Sequence, residues 1–138
     1  MESYVLDTYA LIQYFKGEPG GLLVKDLLKS AEKGEVKLYV PIVNVVETYY
    51  IVFQKDGEIV AGNLLARIKR MPLTLVEIDD ENIILTGRCK ATKKVSFADS
   101  FVVGCAIQKN AIIVTGDPEF SEVADIVQIK WLPQKAKI

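Results

Sequence analysis

Short runs of β-branched and aliphatic residues alternate along the chain with longer stretches whose apolar positions recur every three to four residues. The runs YVL (4–6), KLYV (37–40), LTLVEI (73–78), AIIVT (111–115) and IVQIKW (126–131) have the length and continuity of strands buried on both faces. Helical patterns fill the intervals at 8–16, 21–34, 42–56, 58–70, 80–93 and 97–109. Gly34 and Gly57 can each close a helix, and GEPGG (17–21) reads as the turn between the first two. Alternating strands and helices predict a parallel sheet in a three-layer α/β/α sandwich with right-handed crossovers. There is no repeat, low-complexity tract or linker, so residues 1–138 are expected to form one domain.

Sheets of this kind place their ligands beyond the carboxyl ends of the strands, where strand order reverses. Acids stand at those ends: Asp7 after the first strand, Asp79 and Asp80 after the third, Asp117 after the fourth. Glu47 and Asp99 lie early in helices. Each of the aspartates has a structural alternative. Asp7 suits the N-cap of the first helix. Asp117-Pro118 has the form of a cap with proline at the first helical position. Ser96 and Asp99 fit a capping box, and Asp79 and Asp80 fit a cap followed by charges that favour the helix dipole.

Glu47, in VVETYYIVF (45–53), is harder to assign to structure. It shares a helical stripe with Val43 and Ile51, and Tyr50 is three residues on, so its face reads as apolar. No lysine or arginine lies within seven residues of it on either side. A carboxylate on such a face needs a cation, a donor or a proton, and a bound metal ion is the economical answer.

Composition narrows the chemistry. The chain contains no histidine, which excludes Ser-His-Asp and Cys-His catalysis and any His-ligated zinc. Cys89 and Cys105 have no metal-binding spacing and read as reduced, buried thiols. Converging carboxylates without His or Cys select a hard cation, Mg²⁺ or Mn²⁺, and such ions pair with substrate phosphate and activate water for phosphodiester hydrolysis. The net charge is −1, so a polyanion must be held by local patches. The longest uncharged runs are nine residues (38–46 and 100–108), too short for a membrane span, and MESYVLD has no basic n-region; a cytoplasmic location is expected.

Strand-D-T at the N-terminus, P-x-x-x-x-x-E leading into a helix, an F-A-D-S helix start and a closing T-G-D-x-x-F, in this order, resemble the PIN-domain family, and in particular its VapC-type toxins. The resemblance implies a PIN-like parallel five-stranded sheet of order 3-2-1-4-5, with the first and fourth strands central so that Asp7 and Asp117 meet. It implies that Asp7, Glu47, Asp99 and Asp117 are the metal ligands of an endoribonuclease. Thr115 would orient a carboxylate or a water, and Thr8 is a second helper. Asp79 and Asp80 match no family ligand. Where many members have Ser or Thr shortly before the helix acid, this chain has Ile42, Val43 and Asn44, and Asn44 can supply the missing polar contact.

The same resemblance implies a homodimer and a small antitoxin that covers the site. Tyr49, Tyr50 and Phe53 are read as core, with that interface as the alternative. Phosphate contacts are sought in three basic groups: Arg88, Lys90, Lys93 and Lys94; Arg67, Lys69 and Arg70; Lys130, Lys135 and Lys137. A non-catalytic PIN scaffold that binds RNA or protein is the second functional reading. A D-x-D phosphatase would need an acid at Tyr9, and a receiver domain would need one at Thr8.

Overall fold

A computed structural model describes residues 1–133. Lys135 and Lys137 lie outside them. The order of elements is β1 (Glu2–Leu6), α1 (Thr8–Phe15), α2 (Gly21–Glu32), β2 (Val36–Pro41), α3 (Ile42–Asp56), α4 (Glu58–Arg70), β3 (Thr74–Val76), α5 (Asp80–Thr92), α6 (Phe97–Lys109), β4 (Ile112–Thr115), a 3₁₀ helix (Pro118–Val123) and β5 (Ile129–Trp131). The five strands form one parallel sheet of order β3-β2-β1-β4-β5.

The side-chain period of two explains both faces. Tyr4 and Leu6 of β1, Leu38 and Val40 of β2 and Val114 of β4 point to one side, where they meet α1 to α4. Val5, Val76 and Ile113 point to the other, where they meet α5, α6 and Phe120. Because both faces are covered, the strands need no polar alternation, which is why they read as continuous apolar runs. α6 is the most enclosed helix. Its residues from Asp99 to Ala106 are all buried, and it packs on β1, β2, β4 and α5.

Two strands are about half as long as the sequence suggests. β3 is an edge strand bonded only to β2, and it stops at Val76, leaving Ile78 exposed. The expected fifth strand (126–131) shrinks to Ile129–Trp131, preceded by the 3₁₀ helix. Asp117 caps that helix, Pro118 opens it, and Phe120 and Val123, three apart, are both fully buried. Cys89 and Cys105 are buried and unpaired, and burial pushes the Cys105 thiol up to about 12. No helix among the described residues is long and apolar enough to cross a membrane.

Candidate metal-binding active site

Strand order reverses at the β1–β4 pair, and the residues just beyond those two strands define the site. Asp7 directly follows β1 and is 1 % exposed. Its Oδ1 accepts from the Ala10 N–H at 2.8 Å, capping α1, and its Oδ2 accepts from the Thr115 hydroxyl at 2.5 Å. Thr115 ends β4, is fully buried, and accepts in turn from the Asp117 N–H at 3.0 Å. One hydroxyl thus ties the end of β1 to the turn after β4. The Asp117 Oδ1 accepts from the Glu119 N–H at 2.9 Å and starts the 3₁₀ helix. The capping interpretation of Asp7 and of Asp117 is correct, and it coexists with a place in the site, because each cap uses a single carboxylate oxygen.

Asp99 enters from the first turn of α6. Its N–H donates to the Ser96 hydroxyl at 3.2 Å, the helix-capping half of the expected box. Glu47 comes from α3, half-buried, with Ile51 one turn on in the same wall. Asp7, Glu47, Asp99 and Asp117 line one cavity of about 520 Å³, together with Thr8 and Glu119.

The electrostatics follow from this crowding. Burial pushes the Asp7 carboxyl up to about 7; the Thr115 and Ala10 hydrogen bonds oppose that, and the charges of Asp117 and Glu47 add to it. The Asp99 carboxyl is also raised, first by burial, then by the neighbouring Glu119 carboxyl and by the negative charge of Asp7. Among the described residues no lysine or arginine lines the cavity, and no salt bridge involves any of its acids. Carboxylate oxygens of Asp99, Asp117 and Glu119 lie within 4.8 Å of one another. Such an all-oxygen donor set, with no cation of its own, fits a hard divalent ion.

The face of α3 differs from its sequence reading. Its buried positions are Asn44, Val45, Thr48 and Val52, while Val46, Tyr50 and Phe53 are exposed, and of its three aromatic residues only Tyr49 packs against the core. The helix turns two small polar residues inward, where the Thr48 hydroxyl and the Asn44 amide nitrogen find partners while Asn44 Oδ1 is buried without one among the described residues. The Thr48 hydroxyl donates to the Asn44 carbonyl at 2.7 Å, and Asn44 Nδ2 donates to the Thr8 hydroxyl at 3.1 Å. Asn44 thereby ties α3 to the start of α1 rather than contacting Glu47. Tyr50 and Phe53 are surface residues, not core. Asp79 and Asp80 lie away from the cavity; Asp79 caps α5 and accepts from the Gln108 amide.

None of the described basic groups reaches the acids. Lys93 pairs with Asp125 at 2.7 Å, the Arg67 guanidinium lies over the rings of Tyr14 and Phe15, and the Lys130 ammonium lies over Tyr4. Glu119 is the site residue that sequence reading missed. Its signal was an acid held between Pro118 and the buried Phe120, directly behind Asp117, where the local pattern reads only as a first-turn charge.

A family model described as PIN domain matches residues 4–126. The chain belongs to the PIN-domain family. Its fold is shared with solved structures of low sequence identity. VapBC2 of Rickettsia felis bound to a promoter DNA fragment superposes with a TM-score of 0.75 at 14 % identity, covering 95 % of this chain and 99 % of that one. A DNA-bound VapBC of Salmonella typhimurium gives 0.69 at 18 %, covering 94 % and 98 %. VapC20 of Mycobacterium tuberculosis, described as a sarcin–ricin loop cleaving toxin, gives 0.68 at 14 %, covering 86 % and 92 %. No curated protein sequence was found to match. The acid cavity of this PIN domain sits where the sheet topology requires a ligand site.

Proposed function

We propose that this PIN domain, with residues 1–138 acting as one unit, is a Mg²⁺- or Mn²⁺-dependent endoribonuclease and the VapC-type toxin of a toxin–antitoxin pair. The observation that carries the reading is the convergence of Asp7, Glu47, Asp99 and Asp117 on one cavity that no cationic side chain among the described residues lines. A divalent ion supplies the positive charge that this cavity lacks and polarises water and phosphate there. Asp7, Glu47, Asp99 and Asp117 hold it. Thr115 fixes the Asp7 carboxylate through its Oδ2, so that oxygen does not rotate away when substrate enters. Thr8 and Asn44 lock α1 against α3 and keep Glu47 opposite Asp7. A bound ion would offset the repulsion between these acids and RNA phosphates.

The partners follow from the same reading. Val46, Tyr50, Phe53 and Ile59 leave an exposed apolar surface on α3 and α4 that a small antitoxin can cover. Ile83, Ile84 and Phe97 leave another on α5 and α6, available to a second copy of the chain. The protein acts in the cytoplasm. Incubation of the purified chain with a structured RNA tests the activity. Cleavage in Mn²⁺ or Mg²⁺ that chelation abolishes supports it, and intact RNA with the ion present overturns it.

A further inference from the structure

The acids account for only part of the cavity wall. Tyr9, Ile12 and Gln13 of α1 and Ile51 of α3 line it as well. The first three recur at helical spacing on one face of α1, and Ile51 follows Glu47 by one turn of α3. Ile12 is five residues from Asp7 and Ile51 is four from Glu47, so both isoleucines stand roughly 6–8 Å along the helix axes from the carboxylates.

A metal ion needs none of this apolar wall. An ion with six water-sized oxygen ligands fills on the order of 200 Å³, while the cavity measures about 520 Å³. The fold does not need it either at two of the positions. Ile12 and Ile51 are half-buried and pack against neither core cluster. Tyr9 is held in place from the other side. A Cβ added at Gly116 would lie 2.4 Å from Tyr9 Cε1 and 3.0 Å from its hydroxyl oxygen, so the ring rests on the turn between Thr115 and Asp117. Gln13 is 6 % exposed, and its Oε1 accepts from the Gly20 N–H at 3.2 Å, which adds a fixed amide to the wall. An apolar lining with a few placed polar groups is the usual make-up of a site for an organic ligand. A ligand that joins an anionic group at the acids' ion to a flat, largely apolar ring about one helical turn away is a nucleotide.

We infer that Tyr9, Ile12 and Ile51 form a base-binding subsite, which seats the nucleobase adjoining the phosphate held at the acids and contributes to the choice of cleavage position. The inference rests on the metal-dependent nuclease reading above.

Calorimetry of the whole chain, first with Mn²⁺ and then with ribose 5-phosphate or each of the four ribonucleoside 5′-monophosphates, tests this. The sugar phosphate carries the same anionic group and lacks the base. At least one nucleotide is expected to bind the manganese-loaded chain about tenfold tighter than ribose 5-phosphate or better. The double variant Ile12→Ala, Ile51→Ala is expected to lose most of that advantage while its affinities for Mn²⁺ and ribose 5-phosphate stay within about twofold. Thermal unfolding checks that it is folded, and the comparison among probes in the unaltered chain decides the matter even if it is not. Equal affinity for sugar phosphate and nucleotides, no binding of any of them, or an advantage that the folded double variant retains overturns the inference and leaves the metal-dependent reading standing. Failure of Mn²⁺ itself to bind overturns both.

Discussion

The Thr115 hydroxyl donates to Asp7 Oδ2 at 2.5 Å while accepting from the Asp117 N–H at 3.0 Å. It joins two acids 110 positions apart by connecting the ends of neighbouring parallel strands. Thr115→Val keeps the shape and removes the hydroxyl, leaving a buried carboxylate oxygen without its donor. That change is expected to cost about 1–3 kcal/mol of stability. It also raises the Asp7 carboxyl further, since a hydrogen bond that lowers it is lost. Thermal unfolding reads the first effect. The acid limb of the cleavage pH profile, moved to higher pH, reads the second.

The metal-free chain should lose stability as pH rises from about 4 to about 7. Asp7 stands at about 7 in the folded protein against 3.8 as its ordinary value, so between these the native state holds a proton that the unfolded state has released. Stability then falls with rising pH, by an amount on the order of 4 kcal/mol for this group taken alone. Urea unfolding at pH 4.5, 6 and 8 in the presence of a chelator measures it. Asp7→Asn should reduce the dependence and leave the part that the raised Asp99 carboxyl contributes, and Mn²⁺ should restore stability at pH 8.

Gly104 in α6 faces Thr86 in α5 so closely that an added Cβ would lie 2.1 Å from Thr86 Oγ1 and 3.0 Å from its backbone nitrogen. Gly104→Ala is therefore expected to destabilise by about 1–3 kcal/mol, the usual penalty of overpacking. Adding Thr86→Ala should recover part of the loss by removing the nearest atom, with the backbone contacts remaining. Denaturant unfolding of the single and double variants gives both numbers and tests the α5–α6 packing independently of any activity.

The fold was readable because its central strands are buried on both faces and because Asp7, Asp79 and Ser96 cap three of its helices. The Asp7, Asp99 and Asp117 positions were readable because strand ends and helix starts in a parallel sheet converge. α3 was misread for a physical reason. Apolar patterning assumes that polar residues face water, yet Asn44 and Thr48 are buried, held by one hydrogen bond from each side chain, and Val46, Tyr50 and Phe53 face outward. Glu119 escaped notice because its place in the cavity wall comes from tertiary packing near Asp99, twenty positions away. The 3₁₀ helix was hidden by its brevity: one proline and two buried residues do not separate it from an extended approach to β5.

The account depends most on carboxylates that are held together at a cost to stability because they bind an ion. Asp7→Asn and Asp99→Asn, each measured for RNA cleavage in Mn²⁺ and for thermal unfolding without metal, test this directly. The account predicts cleavage reduced by at least a hundredfold, with unfolding temperature unchanged or raised, since removing a charge relieves the others. Variants that cut RNA at the rate of the unaltered chain would contradict it.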